Sequence, residues 1–210
     1  MCIGEAIRQA AQSIQNKLGL EISEANFEAN LLCQQVLNVN RAWLISHESD
    51  ALEPNQQAGF EALLQRRLNG EPMAYILGSR DFYGLQLKTT PATLIPRPDT
   101  ETLVEAALAK IPQNASLNIL DLGTGTGAVA LAIASQRPQT KVIAVDASLE
   151  ALKVATENAQ SLSLSNVRLI ESNWFSGLAS EKFDVIVSNP PYIAQDDEHL
   201  KQGDLRFEPL

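Results

Sequence analysis

Cysteine and histidine are nearly absent. Cys2, Cys33, His47 and His199 are the whole stock in 210 residues. Two cysteines so far apart exclude a disulfide scaffold or a cysteine-rich metal site, and two histidines leave little for a histidine-based zinc centre. Basic side chains are also scarce: 16 Lys and Arg stand against 25 Asp and Glu, for a net charge of −9. No basic patch of the kind that drives phosphate binding is visible, so direct nucleic-acid binding is not expected. No apolar run approaches the roughly 20 residues that span a bilayer. The opening MCIGEAIRQAAQ lacks the basic start and apolar stretch of a signal peptide. With 45% hydrophobic residues, the expectation is a cytoplasmic, globular chain of one large domain or two small ones. There is no internal repeat and no low-complexity tract.

The first 70 or so residues read as helices only. Ile3, Ile7, Ala10, Ile14 and Leu18 recur at steps of three or four, one face of a helix that Gly19 would stop. A second helix from about Ser23 would face inward through Phe27, Leu31, Leu32 and Val36. A short third carries Trp43, Leu44 and Ile45, with Trp43 expected in the core. A fourth starts at Pro54, a good first-turn residue, and runs to Gly70. Arg66 and Arg67 read as a solvated helix end. From Met73 to Thr89 the period changes, and Gly78 and Gly84 break it into short strands. Pro96 and Pro98 then hold the chain extended around Arg97, and Asp99 is placed to cap a helix through Leu103, Val104, Ala107, Leu108 and Ile111. Beyond Pro112, strands at 118–122, 141–145, 167–170 and 183–187 alternate with helices at 127–136 and 149–161. That alternation predicts an α/β fold with a parallel sheet. The expected division is a helical bundle over 1–72, a β-hairpin linker over 73–96 and the α/β domain over 97–210.

The strongest local signal is Asp121-Leu122-Gly123-Thr124-Gly125-Thr126-Gly127-Ala128. It joins a predicted strand to a predicted helix. Glycines there let the main chain turn sharply and let a ligand approach it, and helix N-terminal amides face that ligand. Asp146 ends the next strand, where a carboxylate can accept from ribose hydroxyls. Two cofactor classes fit. Gly123, Gly125 and Ala128 satisfy the G-x-G-x-x-A spacing of a nicotinamide dinucleotide site. The same loop suits S-adenosylmethionine, and Asp121 favours it, because a carboxylate there repels a pyrophosphate but attracts an ammonium or a sulfonium.

The fourth strand runs directly into Asn189-Pro190-Pro191-Tyr192. Ligands of open parallel sheets bind at the carboxyl ends of the strands, near the switch in strand order. This tetrapeptide and the glycine loop should therefore share one crevice. The chemistry suggested is methylation of a planar nitrogen, whose conjugated lone pair is a poor nucleophile. The Asn189 side-chain oxygen and the Pro190 carbonyl can each accept one N–H. Together they pull the nitrogen toward tetrahedral geometry. Successive prolines keep those acceptors fixed, and Tyr192 offers a flat face. A rigid loop after a strand is the plainer alternative for the same residues.

With these motifs in hand, the chain resembles the bacterial peptide chain release factor glutamine N5-methyltransferases, which are class I S-adenosylmethionine-dependent enzymes. Four stretches carry the likeness: residues 94–101 (LIPRPDTE), 121–127, 189–192 and 202–209 (QGDLRFEP). The resemblance implies a Rossmann-like methyltransferase domain behind a small helical domain and a hairpin. It implies methylation of the glutamine in the Gly-Gly-Gln motif of class 1 release factors, with the helical domain touching that partner. Asp121, Gly123, Thr124, Gly125, Thr126 and Gly127 would then surround the methionine moiety, Asp146 the ribose and Trp174 the adenine. Asn189, Pro190, Pro191 and Tyr192 would hold the glutamine amide, with Asn189 also bordering the cofactor. Arg97 would help order the pocket. Relatives commonly carry aspartate where this chain has Asn173, which implies weaker cofactor binding. Plainer roles exist for Trp174 as a packed loop aromatic, for Arg97 as an ion-pair partner and for His199 in a solvated loop.

Other readings stay open: a different acceptor such as a ribosomal-protein glutamine or a nucleic-acid base, a dinucleotide-dependent oxidoreductase, or a binding remnant without turnover. Length sharpens the last. A seven-stranded sheet needs roughly 65 to 70 residues more, by ordinary element and connection lengths. The expectation is therefore a fragment holding four of seven strands, with its fourth strand an unpaired edge.

Overall fold

A computed structural model describes residues 1–178, 181–191, 193, 197, 198 and 203–209. The chain divides into two compact units, Met1–Leu77 and Gly78–Leu210.

The first unit is all helical: α1 (Ile3–Leu18), α2 (Ile22–Leu37), α3 (Arg41–Ser46), α4 (Pro54–Leu68) and α5 (Met73–Leu77). Glu5 accepts the Cys2 N–H at 3.1 Å to open α1. Gly19, at φ +70°, closes it with its N–H on the Gln15 carbonyl. Asn40 caps α3 by accepting the Trp43 N–H at 2.9 Å. Ile3, Ile7, Ala10 and Ile14 are buried as their spacing predicts, with Leu32, Leu44 and Phe60 in the same core.

Three expectations for this unit are corrected. Phe27 is 57% exposed, and α2 turns inward on Ala25, Glu28, Ala29, Leu32 and Cys33 instead. Buried alanines on α1 and α2 make that inner face from small residues, which a search for bulky apolar side chains passes over. Tyr75, Ile76 and Leu77 are helical rather than extended, because the Pro72 carbonyl accepts the Tyr75 and Ile76 N–H groups and starts a turn that Gly78 (φ +73°) ends. Arg67 is not solvated. Its guanidinium grips Glu28 with two hydrogen bonds of 2.7 and 2.9 Å, both side chains being about nine-tenths buried. Arg66 pairs with Glu71 at 2.6 Å. Trp43 is partly buried and stacks on His47 at 3.9 Å between ring centroids.

The second unit begins with a hairpin, β1 (Ser79–Phe82) and β2 (Leu85–Lys88), paired antiparallel. Tyr83 (φ +49°) and Gly84 (φ +75°) make its two-residue turn, the positive-φ geometry that matches strand twist. Phe82 and Leu87 are buried in the core of this unit with Val104, Ile119, Leu131 and Val142. The hairpin is thus part of the α/β unit rather than a free linker.

A single 3₁₀ turn, Pro98–Thr100, leads into α6 (Glu101–Lys110). Asp99 lies inside that turn and does not cap the helix as expected: the N-cap position falls to Thr100. Pro98 starts the tighter turn one residue early. The sheet holds β3 (Asn118–Leu122), β4 (Lys141–Asp146), β5 (Val167–Glu171) and β6 (Val185–Ser188), all parallel, in the order β5-β4-β3-β6. Helices α7 (Ala128–Gln136) and α8 (Leu149–Ser161) make the crossovers. The sequence order reverses at β3, which lies between β4 and β6.

The Glu28–Arg67 pair yields a test of the helical unit. Arg67→Met strands a buried carboxylate and should cost about 3 kcal/mol in urea unfolding, while Glu28→Leu combined with Arg67→Met should recover most of that loss. Equal stability of the single and double variants would contradict it.

Candidate active site

The loop between β3 and α7 is held by its main chain. Gly123 and Thr124 both donate their N–H to the Val145 carbonyl at 2.9 Å, and the Gly127 N–H closes on the Thr124 carbonyl at 2.8 Å. Three glycines take positive φ: Gly123 at +72°, Gly125 at +55° and Gly127 at +85°. They serve different ends. A Cβ on Gly127 would sit 2.9 Å from the Leu131 side chain and 3.4 Å from Ala155, so this glycine allows close packing at the start of α7. A Cβ on Gly123 or Gly125 would meet nothing within 4 Å. Open space over two left-handed glycines is what a ligand lying on the main chain requires.

Two carboxylates bond to this loop. Both oxygens of Asp146 are engaged: Oδ2 accepts the Gly125 N–H and Oδ1 the Ser148 N–H, each at 2.9 Å. Asp146 therefore shapes the loop, and each of its oxygens keeps a lone pair for a further donor. Asp121 is only 2% exposed and accepts from the Thr124 hydroxyl at 2.7 Å. Burial pushes its carboxyl up from the ordinary 3.8 to about 6, against the pull of Thr124 and the Ala130 N–H.

Sequence reasoning missed Asn158 on α8. It is 1% exposed and makes three bonds. Its Nδ2 donates to the Thr126 carbonyl (2.9 Å) and the Lys88 carbonyl (3.1 Å), and its Oδ1 accepts the Lys88 N–H (2.7 Å). One side chain thereby ties the glycine loop to β2. A polar residue on a helix face carries no periodic signal, so only the fold exposes it.

After β5, Ser172 organises the next corner. Its N–H donates to the Asp146 carbonyl at 2.9 Å, its hydroxyl donates to the Trp174 carbonyl at 2.7 Å, and it accepts the Gly177 N–H at 2.8 Å. Trp174 is held at φ +54°, rare for a bulky residue, with 53% of its surface exposed. It is not the packed loop aromatic that was its plainer alternative. Asn173 is exposed beside it.

At the carboxyl end of β6, Ser188 stands in register with Leu122, and its hydroxyl donates to the Leu122 carbonyl at 2.9 Å. Asn189 thus follows directly from a residue bonded to the one preceding Gly123. The Asn189 Nδ2 donates to the Thr100 hydroxyl oxygen at 3.3 Å. Pro190 is partly buried and Pro191 exposed. Tyr192, His199 and Gln202 lie outside the described residues.

Arg97 donates to Glu208 at 2.7 Å and approaches Asp204 at 3.6 Å. Glu208 also accepts the Ile95 N–H at 3.2 Å, and its side chain is 2% exposed. Burial raises its carboxyl above the usual range despite the Arg97 charge. The stretches around 95–100, 189 and 203–209 therefore meet. No group of His, Cys, Asp and Glu suited to a metal occurs among the described residues.

Comparison with known proteins finds relatives over both units. The methyltransferase small domain family matches residues 99–204, and the PrmC N-terminal domain family matches residues 5–78. The release factor glutamine methyltransferase of Shewanella oneidensis is 46% identical over 208 residues, covering 99% of this chain and 71% of the relative. That of Aliivibrio fischeri is 50% identical over 200 residues, covering 94% and 70%. That of Escherichia coli is 50% identical over 183 residues, covering 87% and 66%. The chain spans about two thirds of the length of the curated relatives it matches.

The Asp121 environment gives a pH test. A carboxyl whose folded pKa lies above its unfolded value binds its proton preferentially when folded. Stability from this group is therefore highest below about 4 and declines as pH rises to about 6. Asp121→Asn should gain up to about 3 kcal/mol at pH 7 and little at pH 4, by denaturant unfolding of the ligand-free chain. An equal effect at both pH values would contradict the burial argument.

Proposed function

The chain belongs to the release factor glutamine methyltransferase family, and from that membership we propose that it methylates the side-chain amide of a release factor glutamine using S-adenosylmethionine. The acceptor glutamine is that of the Gly-Gly-Gln motif in class 1 release factors, and the protein works in the cytoplasm. The observation that carries the reading is the Ser188–Leu122 bond, which sets Asn189 beside the glycine loop.

The residues present fit the cofactor. Open space at Gly123 and Gly125 admits a ligand onto the main chain, and the two carboxylates at Asp121 and Asp146 suit its cationic and hydroxyl-bearing parts. Thr124 and Thr126 complete the loop wall, Asp146 takes the ribose, and the exposed Trp174 ring flanks the adenine. When bound, S-adenosylmethionine supplies an electrophilic methyl group. The chain's own residues orient the acceptor. The Asn189 oxygen and the Pro190 carbonyl each accept one amide N–H, which weakens conjugation at the nitrogen and aims its lone pair. Pro191 stiffens that wall, and Tyr192, outside the described residues, is expected to offer its flat face to the amide. On methylation the nitrogen's remaining protons become acidic and one passes to water, so such catalysis is positioning and charge placement, with no strong base required.

For the helical unit, the match to the PrmC N-terminal domain supports release-factor contact. A net charge of −9 argues against nucleic acid as the acceptor. No helix among the described residues is long and apolar enough to cross a membrane.

Incubation of the chain with tritiated S-adenosylmethionine and a purified release factor tests the proposal. Label is expected in the Gly-Gly-Gln peptide. Label in RNA or DNA instead, or tight NADH binding with none of S-adenosylhomocysteine, would overturn it. Asn189→Ala should lower turnover by about a hundredfold while S-adenosylhomocysteine affinity stays within about threefold. Asn173→Asp should tighten that affinity several-fold, restoring a charged acceptor for the adenine amino group.

A further inference from the structure

An asparagine amide has two unlike ends. Only its oxygen can accept an N–H from an incoming primary amide. Rotated by half a turn, the same side chain presents its own N–H groups and repels that amide. Accepting at Asn189 therefore needs its side chain held in a rotamer that leaves Oδ1 to the crevice, and the Asn-Pro-Pro sequence supplies no partner for the other end of the amide. In this structure the Asn189 Nδ2 is committed to the Thr100 hydroxyl oxygen at 3.3 Å, which turns Oδ1 the other way.

Thr100 is itself well braced. It is β-branched, so few rotamers are open to it. Its N–H donates to the Arg97 carbonyl at 3.0 Å, closing the 3₁₀ turn Pro98–Thr100 in front of α6. The Arg97 guanidinium clamps that turn to the buried Glu208 at 2.7 Å, and the same Glu208 oxygen takes the Ile95 N–H. A continuous chain of bonds thus runs from Glu208 through Arg97 and the turn to Thr100 and the Asn189 amide.

We infer that Thr100 is a positioning residue: its hydroxyl oxygen, by accepting from Nδ2, anchors the Asn189 side chain in the rotamer that leaves Oδ1 free for the acceptor amide. The inference rests on the methyl-transfer reading above, and gives the Pro-Arg-Pro-Asp-Thr-Glu stretch a task distinct from cofactor binding. Thr100→Val keeps the shape of the side chain and removes its oxygen, whereas Thr100→Ser keeps the oxygen.

The test uses the full chain with a release factor. Thr100→Val should lower kcat between about tenfold and a hundredfold, with cofactor KM and S-adenosylhomocysteine affinity unchanged, and Thr100→Ser should restore most of the rate. Independently of turnover, the side-chain amide protons of Asn189, followed by ¹⁵N NMR in the ligand-free chain, should exchange faster in Thr100→Val than in the wild type or Thr100→Ser. Wild-type kcat in Thr100→Val, or a Thr100→Ser variant as impaired as Thr100→Val, overturns the inference. Unaltered Asn189 amide exchange in Thr100→Val does so as well. A wild-type chain that labels no release factor overturns the methyl-transfer reading, whereas the amide exchange rates still decide whether Thr100 holds Asn189.

Discussion

Everything at the crevice depends on the Val145 carbonyl. Two successive amides of the glycine loop, Gly123 and Thr124, converge on that one oxygen at the end of β4. A chain leaving β3 is thereby forced back across the top of the neighbouring strand. That path demands left-handed backbone, so glycines stand where they do, and it opens the space beside Gly123 and Gly125. It also draws Asp146 under the loop, where its carboxylate holds the Gly125 N–H. A parallel sheet supplies such an anchor naturally, because the carboxyl ends of adjacent strands share one edge.

Charge in this chain is used inside as well as outside. Glu28 and Arg67 satisfy each other within the helical unit, and Glu208 meets Arg97 in the second. Among the described residues no cation pairs with Asp121, which leans on the Thr124 hydroxyl, so burial and the nearby Asp146 charge prevail and its proton affinity rises. A carboxylate kept in that condition costs stability in the empty protein. A bound cation would relieve it, so the same residue that weakens the fold suits it to a positively charged ligand.

The sheet was largely legible in the sequence. Short apolar stretches such as Ile119-Leu120, Val142 to Val145 and Leu169-Ile170, alternating with helical segments, mark parallel strands, and β3, β4 and β5 fall within a residue of where that alternation places them. The glycine loop and the Asn-Pro-Pro segment were legible because their chemistry is local. What escaped was non-local or polar. Phe27 looked like core, yet α2 faces inward through Ala25, Glu28, Ala29, Leu32 and Cys33, two of them small alanines. Asp99 looked like a cap, yet a proline next to it tightened the turn. Asn158 and Glu208 look like ordinary surface residues until partners 70 and 111 positions away arrive.

Asn158 carries a consequence beyond holding the loop. Its amide bonds the Thr126 carbonyl on one side and both main-chain groups of Lys88 on the other. Thr126 cannot shift without loosening the second strand of the hairpin. The hairpin is therefore a mechanical gauge of the loop: a probe on the exposed Lys88 side chain would report any shift of Thr126.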